Sequence, residues 1–120
     1  MRMHPIVGDQ LCGNLRSLAR VRPIVRHHHE RLDGSGYPDG LRGAQVPLLA
    51  QIVGVVDVFD ALVTDRPYRP AIGLDDALRQ LQREVSLGWR SPQLVDAFVE
   101  AVRHGGVPAP PVRTRALDPP

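Results

Sequence analysis

Six residues that break regular structure, Gly34, Gly36, Pro38, Gly40, Gly43 and Pro47, fall between Leu32 and Pro47. No helix or strand survives that density, because each glycine adds backbone entropy to be lost on ordering and each proline removes a hydrogen-bond donor. Any fold open to this chain is therefore split by a long loop, either ordered or mobile. The regular elements must lie on both sides of it.

Those flanking blocks read as helices. Pro5 stands where a first helical residue tolerates a missing N–H, and Leu11, Leu15 and Leu18 recur behind it at helical spacing. A short second helix is expected after Pro23, carrying the three histidines. Beyond the loop, Leu48 to Val63 is apolar nearly all round except at Gln51, Asp57 and Asp60, so it is expected in the interior. Its run Ile52-Val53-Gly54-Val55-Val56 suits a buried strand equally well, and length decides for a helix. Leu74, Leu78, Leu81 and Val85 define an amphipathic helix with Asp75 and Asp76 in its first turn, ending near Gly88. Ser91 and Pro92 form an N-cap and first-turn pair for another, whose apolar face Leu94, Val95, Phe98, Val99 and Val102 stops before Gly105. The expected class is all-α. From residue 105 to 120 the proline-rich sequence has little to bury and reads as a disordered tail.

With 120 residues, one cysteine and a net charge of +2, the chain suits a single small domain without an internal disulfide or a cysteine zinc cluster. Such a domain is marginally stable, and a bound metal could add to its core. Cys12 is expected to be a small core residue. Arginines alternate with acidic residues despite a pI near 9.3, so no block serves as an arm for polymeric nucleic acid. No apolar run is long enough to cross a bilayer and no signal-peptide core is evident, so a cytoplasmic protein is expected.

The chemistry concentrates in Arg26-His27-His28-His29-Glu30-Arg31-Leu32-Asp33-Gly34-Ser35-Gly36-Tyr37-Pro38. Neighbouring imidazoles repel when protonated but are common transition-metal ligands when neutral. The competing reading is a solvated, histidine-rich helix end. A carboxylate in a mostly apolar segment, as at Asp57, is costly unless paired or metal-bound.

His4-Pro5-Ile6-Val7-Gly8, His28-His29-Glu30, Asp33-Gly34-Ser35-Gly36-Tyr37-Pro38, Asp57-Val58-Phe59-Asp60-Ala61-Leu62 and Asp65-Arg66-Pro67-Tyr68-Arg69-Pro70 together resemble, in order, the motifs of the HD-GYP family. That resemblance implies a helical bundle of the HD superfamily and hydrolysis of cyclic di-GMP at a centre of two or more divalent transition-metal ions, iron or manganese. It implies His4, His28, His29 and Asp57 as metal ligands, and Arg66 and Arg69 as contacts to the substrate phosphates, against the competing reading of a solvated arginine-rich loop. Successive helical residues point about 100° apart, so His28 and His29 suit two different ions better than one. His27 has no counterpart in the motif and reads as a surface residue or a support for the ligands. Glu30 and Asp33 read either as acceptors for the histidine N–H groups or as solvated residues, and Asp60 as a support for the ligands or for the orientation of the Asp57 helix. Gly36, Tyr37 and Pro38 belong to the GYP loop, taken as 31–47, which in the family lies beside the substrate cleft and is linked to GGDEF-type synthases.

The family's His-Asp dyad, the lysine after it and an upstream glutamate precede the first of these motifs, and no His-Asp pair occurs in this sequence. Residues 1–104 are accordingly expected to form the C-terminal half of such a domain, truncated at its N-terminal side. Two readings follow: a phosphodiesterase or part of one, and a catalytically incomplete module that binds a nucleotide or protein. A plainer HD-type nucleotide phosphohydrolase is a third, disfavoured by the GYP loop. Loss of covering helices would also expose an apolar patch and favour a homodimer.

Overall fold

The structure is a computed structural model that describes residues 4–14 and 20–105. In chain order the helices are α1 (His4–Asn14), α2 (Arg22–His27), α3 (Leu48–Val63), α4 (Leu74–Ser86) and α5 (Pro92–Arg103), with a 3-10 turn at Gly43–Gln45. Among the described residues no strand forms, and isolated bridges join Asp33 to Arg42 and Arg66 to Arg69. The protein is all-α, as its periodicity implies. Leu15, Leu18, the side chain of Cys12 and the tail from Gly106 lie outside the described residues.

Local chemistry ends the last two helices where the sequence places their stops. Gly88 and Gly105 follow α4 and α5 with φ of +80° and +75°, a left-handed conformation that costs glycine nothing. The Ser91 hydroxyl accepts the Leu94 N–H at 3.3 Å, and Pro92 occupies the first turn of α5.

The core forms where α3, α4 and α5 meet. Val55, Phe59, Leu62 and Val63 pack against Ala77, Leu78 and Leu81 of α4 and Val95 and Val102 of α5. Phe59 meets Phe98 edge-on, with centroids 5.0 Å apart. The expectation that α3 lies wholly inside is corrected: it buries one face, while Leu48, Leu49, Ile52, Val53 and Val56 are 37–61% exposed. Helices α2, α4 and α5 pack against it and still leave an apolar strip facing outward. The exposed apolar patch expected from the sequence is therefore present.

The pair α1 and α2 is held together partly by charge. Asp9, only 7% exposed, accepts from Arg22 Nε at 2.9 Å and from Arg26 Nη1 at 3.1 Å. The Arg22 hydrogen bond, joined by Arg26 against the opposing effect of burial, holds the Asp9 carboxyl below the usual range.

Two outcomes follow. Leu78 is fully buried, so Leu78→Ala should lower unfolding free energy by about 2–5 kcal/mol, read from urea denaturation. Because the folded pKa of Asp9 lies below its unfolded value, its stabilisation is complete above about pH 4 and disappears as pH falls through the folded value. The gap in urea midpoint between wild type and Asp9→Asn should thus be largest near neutrality and close on acidification.

Candidate metal centre

The histidine run sits where α2 stops. His27 is its last helical residue, His28 is the C-cap at φ −71° and ψ −11°, and His29 lies in the turn beyond. Only one of the three histidines is thus within the helix, and the rings of His28 and His29 converge instead of diverging, with centroids 4.1 Å apart and planes at 40°. His28 Nδ1 lies 2.8 Å from the Val25 carbonyl and 3.2 Å from that of Ile24. A carbonyl can only accept, so Nδ1 carries a proton, and in the neutral ring Nε2 is then the nitrogen with the free lone pair.

Opposite this turn, α3 contributes Asp57. One donor atom each from His28, His29 and Asp57 lies within 4.8 Å of the others. The expected burial of Asp57 is corrected: it is exposed, next to the outward-facing Val53 and Val56. Two imidazoles and a carboxylate suit a divalent transition metal such as zinc, iron or manganese. Burial first, then the neighbouring His28, lowers the pKa of His29, so its imidazole is neutral and able to ligate near pH 7. His4 is exposed and is a further, smaller cause of that lowering, and it stands outside the triad.

The approach of the two elements depends on Gly54. A Cβ there would stand 2.8 Å from the His28 carbonyl oxygen and 2.9 Å from Arg90 Nη1. Arg90 is pinned by Glu84, Nε to Oε1 at 2.9 Å, with both side chains at most 9% exposed. Behind the site, the Leu32 N–H donates to the Trp89 carbonyl at 3.1 Å, and the Arg31 guanidinium lies 3.5 Å from the Trp89 ring centroid. Sequence reasoning passed over Gly54, Glu84, Trp89 and Arg90. The signal that could have revealed Gly54 is an isolated glycine within a helical apolar run.

The glycine-rich loop is ordered. Gly43 N–H donates to Leu32 O at 2.9 Å, and a Cβ on Gly36 would stand 2.3 Å from the Arg31 nitrogen. Tyr37 stacks on His29 with centroids 5.0 Å apart and planes at 17°, and its peptide bond to Pro38 is cis. The Glu30 carboxylate, 3% exposed, accepts the N–H groups of Asp39 at 2.9 Å and Leu41 at 3.1 Å. His27 Nδ1 stands 3.3 Å from that carboxylate. Asp33 is exposed and accepts from the Ser35 N–H and hydroxyl, which hold its carboxyl below the usual range.

The basic loop after α3 divides its labour. Arg69 Nη2 donates to the Ala61 carbonyl at 2.8 Å, whereas Arg66 stands 3.9 Å from Asp60 with its side chain 39% exposed. A second metal-like group, His27, Glu30 and Asp39, also brings donor atoms within 4.8 Å. There the Arg26 guanidinium grips Asp39 at 2.8 and 3.0 Å, an adjacent positive charge that opposes a further cation. We read that group as a hydrogen-bonded brace.

Residues 1–94 match the family profile described as HD domain. The chain is 45% identical over 101 residues to the cyclic di-GMP phosphodiesterase response regulator RpfG of Xanthomonas campestris pv. campestris, covering 82% of this chain and 26% of that protein. It is 38% identical over 102 residues to a cyclic di-GMP phosphodiesterase of Thermotoga maritima, covering 83% and 27%. It is also 47% identical over 73 residues to the 3'3'-cGAMP-specific phosphodiesterase 1 of Vibrio cholerae, covering 61% and 17%. The chain belongs to the HD domain family, in its HD-GYP branch, and spans about a quarter or less of the length of these relatives.

Replacing Gly54 by Ala should push the His28 turn away from α3. Isothermal titration with Mn²⁺ is expected to show affinity lowered about tenfold or more, since displaced supports of a metal site cost that much. An unchanged dissociation constant would show that the close approach does not set the site.

Proposed function

We propose that this chain is the metal-holding and phosphate-facing part of a cyclic di-GMP phosphodiesterase acting in the cytoplasm. The observation that carries this reading is the convergence of His28, His29 and Asp57 from two elements separated by the loop. The names of the relatives from Xanthomonas and Thermotoga support the substrate. Among the described residues no helix is long and apolar enough to cross a membrane.

A bound divalent ion would supply Lewis-acid polarisation of a phosphoryl oxygen. The chain's own residues bind and orient. We assign His4 as the donor beyond the triad for a centre of two or more ions, with iron or manganese as the metal. The Val25 carbonyl keeps the Nδ1 proton of His28 away from the site, leaving Nε2 as the donor. Tyr37 covers one face of the His29 ring and restricts its rotation. Arg66, half-exposed and 3.9 Å from Asp60, is the guanidinium available to a phosphate, while Arg69 holds its loop to the end of α3. In this reading Asp60 steers Arg66, and Asp33 shapes the turn at Ser35.

The loop bearing Gly36, Tyr37 and Pro38 is the surface we assign to GGDEF-type synthases, and the apolar face of α3 is the one we assign to a second copy of the chain. A second functional reading is a module that binds the nucleotide without hydrolysing it.

The test is turnover of cyclic di-GMP and, in parallel, 3'3'-cGAMP by Mn²⁺-loaded protein, with products resolved by chromatography. The linear dinucleotide is expected from cyclic di-GMP, Asp57→Asn should abolish it, and Arg66→Ala should raise KM about tenfold, the worth of one charge-assisted hydrogen bond. Calorimetric binding of cyclic di-GMP without product would select the second reading, and preference for 3'3'-cGAMP would reassign the substrate.

A further inference from the structure

Glu30 follows the two proposed ligands directly, yet its carboxylate turns away from the triad and into the loop. Its Oε2 accepts the Asp39 N–H at 2.9 Å and its Oε1 the Leu41 N–H at 3.1 Å, with the residue 3% exposed. Burying a carboxylate is costly unless its oxygens are hydrogen-bonded, and here each oxygen receives a backbone donor. The segment so anchored returns to the histidine turn at two further points. Tyr37 N–H lies 3.4 Å from the His29 carbonyl, and the Tyr37 ring stacks on the His29 ring at 5.0 Å. At Gly36 the loop runs so close to Glu30 and Arg31 that a Cβ would overlap their backbone at 2.3–2.6 Å.

We propose that Glu30 is a positioning residue of the metal centre: it fixes the loop backbone at Asp39 and Leu41, and the loop in turn clamps the His29 ring through Tyr37. The proposal rests on the reading that His28, His29 and Asp57 hold a divalent ion. Coupling of this kind is reciprocal. An ion that immobilises His29 stabilises the closed loop, and a partner that grips the loop changes metal affinity by the same factor. The loop becomes a handle on the centre without contributing a ligand to it.

The experiment titrates Mn²⁺ calorimetrically into the full chain as wild type, Glu30→Gln, Glu30→Ala, Tyr37→Leu and the Glu30→Ala/Tyr37→Leu double variant. Amide hydrogen exchange at Asp39 and Leu41 is followed with and without the ion. Glu30→Ala should weaken Mn²⁺ binding about tenfold, the usual effect of removing a support of a ligating histidine. Glu30→Gln, close in shape and chosen to preserve folding, should weaken it less: its amide oxygen accepts one N–H while its NH₂ opposes the other. Tyr37→Leu should weaken binding to a similar degree, and the double variant no further than either single one, because both act through the same ring. In wild type Mn²⁺ should slow exchange at both amides, and in the Glu30 variants it should not.

Additive losses in the double variant would overturn the proposal. Faster amide exchange with unchanged Mn²⁺ affinity would overturn it too, since Glu30 would then serve the loop alone. If wild type takes up no Mn²⁺, the metal reading falls and this inference with it. If wild type binds and both Glu30 variants bind equally well, the assignment of Glu30 alone is removed.

Discussion

The distance between the histidine turn and α3 is set by a missing side chain. The His28 carbonyl oxygen lies where a Cβ on residue 54 would intrude at 2.8 Å. Everything at the candidate centre follows from that approach. Asp57 comes three residues later on the same side of α3 and so reaches the rings of His28 and His29. A bulkier residue at 54 would keep the two elements apart, and the three donors would no longer face one point. Glycine also costs helix stability, by roughly 1 kcal/mol relative to alanine, and the packing of α3 on α4 and α5 offsets that cost.

Buried carboxylates mark the other seams. Asp9 joins α1 to α2 through Arg22 and Arg26, Glu30 joins the histidine turn to the loop, and Glu84 joins α4 to the segment before α5 through Arg90. Each is removed from water and each is hydrogen-bonded, which is the condition under which a buried charge is tolerated. Among the described residues no buried side-chain nitrogen or oxygen lacks a partner. Arg26 ties two of these seams together, since its guanidinium reaches both Asp9 and Asp39. The histidine turn is thus held from the α1 side and from the loop side at once.

The two sides of α3 divide its work. One side supplies Val55, Phe59, Leu62 and Val63 to the core, and the other presents Leu49, Ile52, Val53 and Val56 to the outside beside Asp57. An apolar stripe thus lies next to a carboxylate of the candidate centre. Exposed contiguous apolar surface of this kind marks interaction sites in soluble proteins.

The helical class, the stops at Gly88 and Gly105, the Ser91 cap and the buried positions Leu78, Leu81 and Val95 were legible from the sequence, because periodicity and capping act between residues a few positions apart. The candidate ligands were legible through the order of their motifs. What the sequence by itself could not determine was direction: whether His28 and His29 converge, which side of α3 is covered, whether Glu30 and Asp33 serve the histidines, and that Arg69 turns back to Ala61 while Arg66 stays open. Those outcomes depend on contacts between residues far apart along the chain, such as Gly54 with His28 and Arg90, and Glu30 with Leu41. Local spacing carries no information about which distant backbone will occupy the space a glycine leaves empty, so the tertiary structure decided them.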